Sequence, residues 1–107
     1  MRDRQGEEHL YIGTYPSARL QADYGGVFPV IDELADPLPI ADSDLREALI
    51  AWGLNFESAY DFRSGWRDKR SLEAHFREAQ RLLPLLYREF PGRIVYHDVW
   101  EIHYRTC

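Results

Sequence analysis

Residues 42–60, DSDLREALIAWGLNFESAY, carry the clearest structural signal in the chain. Leu45, Leu49, Trp52, Phe56 and Ala59 recur at spacings of four, three, four and three. That period places one apolar stripe on an α-helix running to about Tyr60. Asp42 or Ser43 supplies the N-cap, and Asp44 and Glu47 stand where the helix dipole favours negative charge. Gly53 lies inside this helix and costs up to about 1 kcal/mol relative to alanine. A close packing contact is therefore expected there.

Working outward, a second helix is expected from about Ser71, with Leu72, Phe76, Ala79, Leu83, Leu86 and Phe90 as its stripe. Pro84 sits within it and should kink it near residues 80–84, because proline lacks the N–H and crowds the preceding turn. Pro91-Gly92 stops it. Between the helices, 61–70 (DFRSGWRDKR) reads as a polar loop anchored by Trp66. Residues 93–104 (RIVYHDVWEIHY) form the best strand pattern. Its even face (Ile94, Tyr96, Asp98, Trp100, Ile102, Tyr104) is the expected inner one, leaving Val95, His97, Val99, Glu101 and His103 outward.

Upstream, His9–Tyr15 reads as a strand ending at Pro16, and 17–22 (SARLQA) extends it or begins a second. Gly25-Gly26 marks a turn, and Pro29 confines Val27–Ile31 to an edge strand or extended loop. Pro37 and Pro39 make 32–41 a connector held by Leu38 and Ile40. The expected fold is a single α+β domain over 1–107, order β(β)ααβ, with two helices on one face of a small antiparallel sheet.

Composition narrows the function classes. With 107 residues and 45% hydrophobic content, roughly two-thirds of the unfolded surface can be buried, enough for one core. No apolar run approaches the ~18 residues of a membrane span, and the charged start MRDRQGEEH is unlike a signal peptide, so a cytoplasmic setting and no membrane contact are expected. The lone Cys107 gives neither a disulfide framework nor a cysteine metal site. A net charge of −5 argues against direct nucleic-acid binding.

The charge is polarised: 23–47 holds seven acids and one base, whereas 63–93 holds eight bases and four acids. Such a field steers a partner of opposite sign, or reflects two solvated faces that meet each other. Three tryptophans, seven tyrosines and five phenylalanines exceed what so small a core must bury, and Tyr and Trp are common interface anchors. Tyr24, Tyr60 and Trp66 flank the acidic segment.

Catalytic constellations are sparse. His97, Glu101 and His103 share a strand face, but His97 lies roughly 13 Å from Glu101, too far for one metal ion without help from His9 or another strand. Asp98 on the apolar face is either an acid or base with a raised pKa, or the partner of an arginine such as Arg81 or Arg88, or is turned outward by a bulge. No phosphate-cradling loop is present, and neither cofactor nor metal is expected.

The stretch from Asp23-Tyr24-Gly25 through Pro29, Asp36-Pro37-Leu38-Pro39, Leu45, Leu49 and Trp52 to Tyr60-Asp61 resembles a widespread group of small bacterial proteins. The likeness continues through Phe76, Leu82, Leu83 and Leu86 to Val95-Tyr96 and spans about residues 19–97. The group is associated with immunity partners of secreted polymorphic toxins, including those of contact-dependent growth inhibition. The resemblance implies a non-enzymatic protein that binds a cognate toxin domain. Pro84 and the added acids Asp32, Glu33 and Asp36 depart from the pattern.

The expected binding surface is acidic, with Asp32, Glu33, Asp36, Asp42, Asp44 and Glu47 facing the basic cleft of a nuclease toxin and Tyr24, Tyr60 and Trp66 as anchors. The alternative is a small enzyme or ligand-binding domain with a pocket around Asp98, His97 and His103.

Overall fold

The computed structural model describes residues 16–99. The elements are β1 (Ser17–Leu20), β2 (Val30–Ile31), α1 (Ser43–Ala59), β3 (Tyr60–Asp61), β4 (Gly65–Trp66), α2 (Lys69–Glu89) and β5 (Ile94–His97). They form an α+β fold, two helices on one face of a three-stranded sheet of order β2-β1-β5. The strand expected at His9–Tyr15 and the 100–104 part of the last strand lie outside the described residues.

α1 forms where its period puts it. The Asp42 carboxylate accepts the backbone N–H groups of Asp44 and Leu45, and Leu45, Leu49, Trp52, Phe56 and Ala59 are all buried. Gly53 backs onto Pro29, whose Cγ would lie 3.7 Å from an added Cβ, an ordinary contact distance. α2 is capped by Asp68, whose side chain accepts from the Ser71 N–H. Its buried line is His75, Ala79, Leu82 and Leu86, turned slightly from the expected stripe, with Leu72, Leu83 and Phe90 packed at the border. The helix runs on through Pro84, which faces solvent. There the carbonyl that proline leaves without a partner is within reach of water.

Three sequence-based expectations are corrected. The sheet is mixed rather than antiparallel: β1 pairs antiparallel with β2 and parallel with β5. Both helices intervene between β1 and β5, a crossover long enough for a strand to return in the parallel sense. The last strand also presents the opposite face. Ala18 pairs with Val95 and Leu20 with His97, and both β1 residues are fully buried, so Val95 and His97 turn toward the helices. Ile94 and Tyr96 point away, 54% and 41% exposed. Finally, 61–70 contains the second strand of a hairpin, β3–β4, in which Tyr60 pairs with Trp66 and Asp61 with Gly65. The Asp61 carboxylate accepts the N–H groups of Arg63 and Ser64 to close its turn, and Gly65 takes φ +87°.

The core joins Ala18, Leu20 and Val30 of the sheet to Leu49, Trp52 and Phe56 of α1 and Leu82 and Leu86 of α2. His75 lies within it, its ring stacked on Trp52 at 4.4 Å, while its carbonyl accepts from the indole Nε1. No helix among the described residues is long and apolar enough to cross a membrane.

Candidate partner-binding surface

The nine residues expected to form one binding face fall in three places. Asp32 and Glu33 belong to the side of the sheet away from the helices, where they fasten the connector. The Asp32 carboxylate accepts the N–H groups of Leu34 and Asp36, and these bonds, chiefly that from Asp36, hold its pKa below the usual carboxylate value. Glu33 accepts from the Ser17 N–H at 3.0 Å and meets Arg93 at 3.2 Å; its pKa is lowered first by the Ser17 bond. Both acids have structural work that their sequence neighbours did not disclose. Asp36 stands exposed beside them.

Asp42, Asp44 and Glu47 occupy the N-terminal end of α1. Asp42 and Asp44 line one groove of about 490 Å³ with Arg81, Arg88 and Glu89 of α2, over Leu45, Ala48 and Leu85. The acidic and basic poles of the sequence therefore meet along part of their length. Glu89 also receives the Ala41 N–H at 2.8 Å and ties the connector to α2.

Tyr24, Tyr60 and Trp66 gather at the other end of α1, roughly 20 Å of helix away. Tyr60 and Trp66 are core residues, 7% and 4% exposed, stacked or edge-on against Phe56. Tyr24 covers them from outside: its ring lies 5.3 Å from Phe56, and its hydroxyl donates to the Tyr60 carbonyl at 3.1 Å. Burial, followed by the field of Tyr60, Asp61 and Asp23, pushes its pKa up to about 12.

The exposed anchor here is Phe62, on the turn of the hairpin. Its ring is 68% exposed, T-shaped against Tyr24 at 6.5 Å, with the Arg63 guanidinium 5.4 Å from its centre. Three carboxylates, Asp23, Glu57 and Asp61, bond the backbone of the two turns that carry this pair. Asp23 adjoins Tyr24 and accepts its N–H, Glu57 accepts the Gly26 N–H, and Asp61 adjoins Phe62. The result is an aromatic knob with Arg63 over its outer ring and Asp61 and Asp23 near its inner one. The sequence signal was a phenylalanine inside an otherwise polar turn, Asp61-Phe62-Arg63-Ser64, overshadowed by the more conspicuous Trp66.

Of the alternative pocket, His97 and Asp98 lie on opposite sides of the sheet. The His97 ring turns inward, 5.5 Å from Trp52 and 5.4 Å from Phe76. Asp98 lies on the far side of the sheet, paired with Arg19 at 3.2 Å rather than with Arg81 or Arg88. Glu101, His103 and Cys107 lie outside the described residues. Among the described residues, no three histidine, cysteine or carboxylate side chains are grouped to hold a metal ion. No family model, curated protein or solved structure matches this chain.

Proposed function

We propose that this chain is a non-enzymatic binding domain that neutralises a bacterial toxin domain, with the knob of Phe62 and Tyr24 as its contact point. The observation that carries the reading is the exposure of Phe62 against Tyr24, with Asp23 and Asp61 close enough to act on the Tyr24 hydroxyl. A large aromatic held in place by a second ring loses little freedom on binding, and burying it supplies the type of anchor on which interfaces depend. The nearby acids favour a basic partner and quicken its approach. The sequence resemblance to immunity proteins makes that partner a toxin domain, and a nuclease, with its basic cleft, fits the charge.

The test is co-purification with the C-terminal domain encoded by its upstream neighbour, joined to a growth-rescue assay. Phe62→Ala is expected to weaken the complex at least about tenfold. Asp23→Asn with Glu57→Gln is expected to slow association and flatten its salt dependence. A folded Phe62→Ala protein that binds and rescues like the wild type removes this surface from the proposal. Wild-type protein that neither binds nor rescues removes the proposal itself.

A further inference from the structure

The outer side of the helix pair carries a second ordered pattern, independent of the knob. On α2, Arg70, Arg77, Arg81 and Arg88 fall within about 40° of arc at 100° per residue. All four are exposed, and they lie opposite the buried line of His75, Ala79, Leu82 and Leu86. Glu78 holds Arg81, but the other three guanidinium groups make no ion pair among the described residues. On α1 the outward face carries Asp44, Glu47, Ile50 and Leu54. Ile50 and Leu54 are 43% and 56% exposed. The carboxylates of Asp44 and Glu47 likewise have no charged partner among the described residues.

The two helices run antiparallel. The groove at one end is lined by 42–48 of α1 and 81–89 of α2, and the groove at the other by 52–59 and 71–78. Asp44 and Arg88 thus stand at the same level on neighbouring helices. We propose that this outer face binds a second copy of the chain about a twofold axis parallel to the groove, α1 of each copy lying on α2 of the other. The rotation exchanges the acidic and basic rows while preserving their level. Asp44 of each copy then opposes Arg88 of the other, and Glu47 lies toward Arg81. A row of acids beside a row of bases is self-complementary under a twofold, so every contact occurs twice. Ile50 and Leu54 come to lie under the arginine stems, whose methylene groups cover apolar surface while the guanidinium groups reach the acids. A nucleic acid fits this face less well, because Asp42, Asp44 and Glu89 border the basic row at one end.

Sedimentation velocity on the full chain tests this, at about 20 mM and about 0.5 M salt. A dimer at low salt that dissociates at high salt is expected. Asp44→Arg or Arg88→Glu alone should raise the dimer Kd at least about tenfold, because each change is felt at two symmetric contacts. The double variant Asp44→Arg/Arg88→Glu should recover dimerisation. Leu54→Arg, which places a like charge against the arginine row without touching the α1 N-terminus, should also give monomer, with circular dichroism confirming the fold. A wild-type monomer at both salts overturns the proposal. So does association that is insensitive to salt and to these variants, or a folded double variant that stays monomeric. Retardation of a nucleic-acid duplex by the wild type but not by Arg77→Glu would replace the second copy with a polyanion. Toxin rescue is read separately, so loss of the dimer and loss of the knob are distinguishable.

Discussion

Arg19 holds Asp98 on the side of the sheet away from the helices, Nη1 to Oδ2 at 3.2 Å, while its Nε and Nη2 donate to the carbonyl of Asp32. One guanidinium thus bridges the end of the last strand and the loop after β2. The arginine makes three side-chain bonds and the aspartate carboxylate a single partly exposed pair. Arg19→Ala should therefore cost about 2 kcal/mol. Asp98→Ala should cost no more than about 1 kcal/mol. Urea denaturation of the two variants checks the order, and equal losses would mean that the Asp32 carbonyl is no part of the bridge.

Gly53 offers an opposite sign. Its place in α1 suggested a close packing contact, and the contact is the Pro29 ring, which an added Cβ would meet at an ordinary 3.7 Å. Gly53→Ala is expected to stabilise by up to about 1 kcal/mol through helix propensity. Gly53→Leu, which must displace Pro29, is expected to destabilise. Thermal melts of both proteins decide the matter.

Acid should loosen the connector. Asp32 and Glu33 both have lowered pKa values in the fold, caused first by backbone N–H bonds. Their contribution is therefore present above the ordinary carboxylate range and is lost as pH falls through the lowered values. Glu33→Gln keeps an acceptor for the Ser17 N–H but discards the charge facing Arg93. Its melting temperature should fall less steeply than that of the wild type below about pH 4. Parallel curves would assign the acid sensitivity elsewhere.

Trp66 and Phe62 should separate stability from recognition. Trp66→Ala removes a core side chain and should cost about 3–5 kcal/mol. Phe62→Ala should leave stability within about 0.5 kcal/mol, since the ring is exposed. Chemical denaturation of each tests this, and a large loss in Phe62→Ala would make the knob part of the fold.

The helices were legible because their information is local. Leu45 to Ala59 carries its own period and cap, and Asp42 plays the part its residue type suggests. β5 was illegible because its inner face is chosen by a distant strand. Val95-Tyr96-His97 has apolar or aromatic groups on both sides, and only the pairing of Ala18 with Val95 decides between them. The candidate site was less legible still. Acids only three positions apart, Glu33 and Asp36, do different things: one fastens a strand, the other stands in solvent. Tyr60 and Trp66 resembled surface anchors because aromatic side chains serve interiors and interfaces alike. The hairpin that buries them also raises Phe62 into view.

The pairing of β1 with β5 has a kinetic consequence. Arg19 and Asp98 are 79 positions apart, and both helices lie between the strands that bring them together. The central strand has only the two-residue β2 beside it until β5 arrives. Local helix formation is fast, but closing so long a loop is entropically expensive and comes late. During synthesis β1 therefore waits with one edge open until nearly every other described element has been made. That interval is when an unpaired strand is most prone to join a neighbouring chain. A collapsed species with formed helices and an unsealed sheet is the intermediate to seek in refolding kinetics.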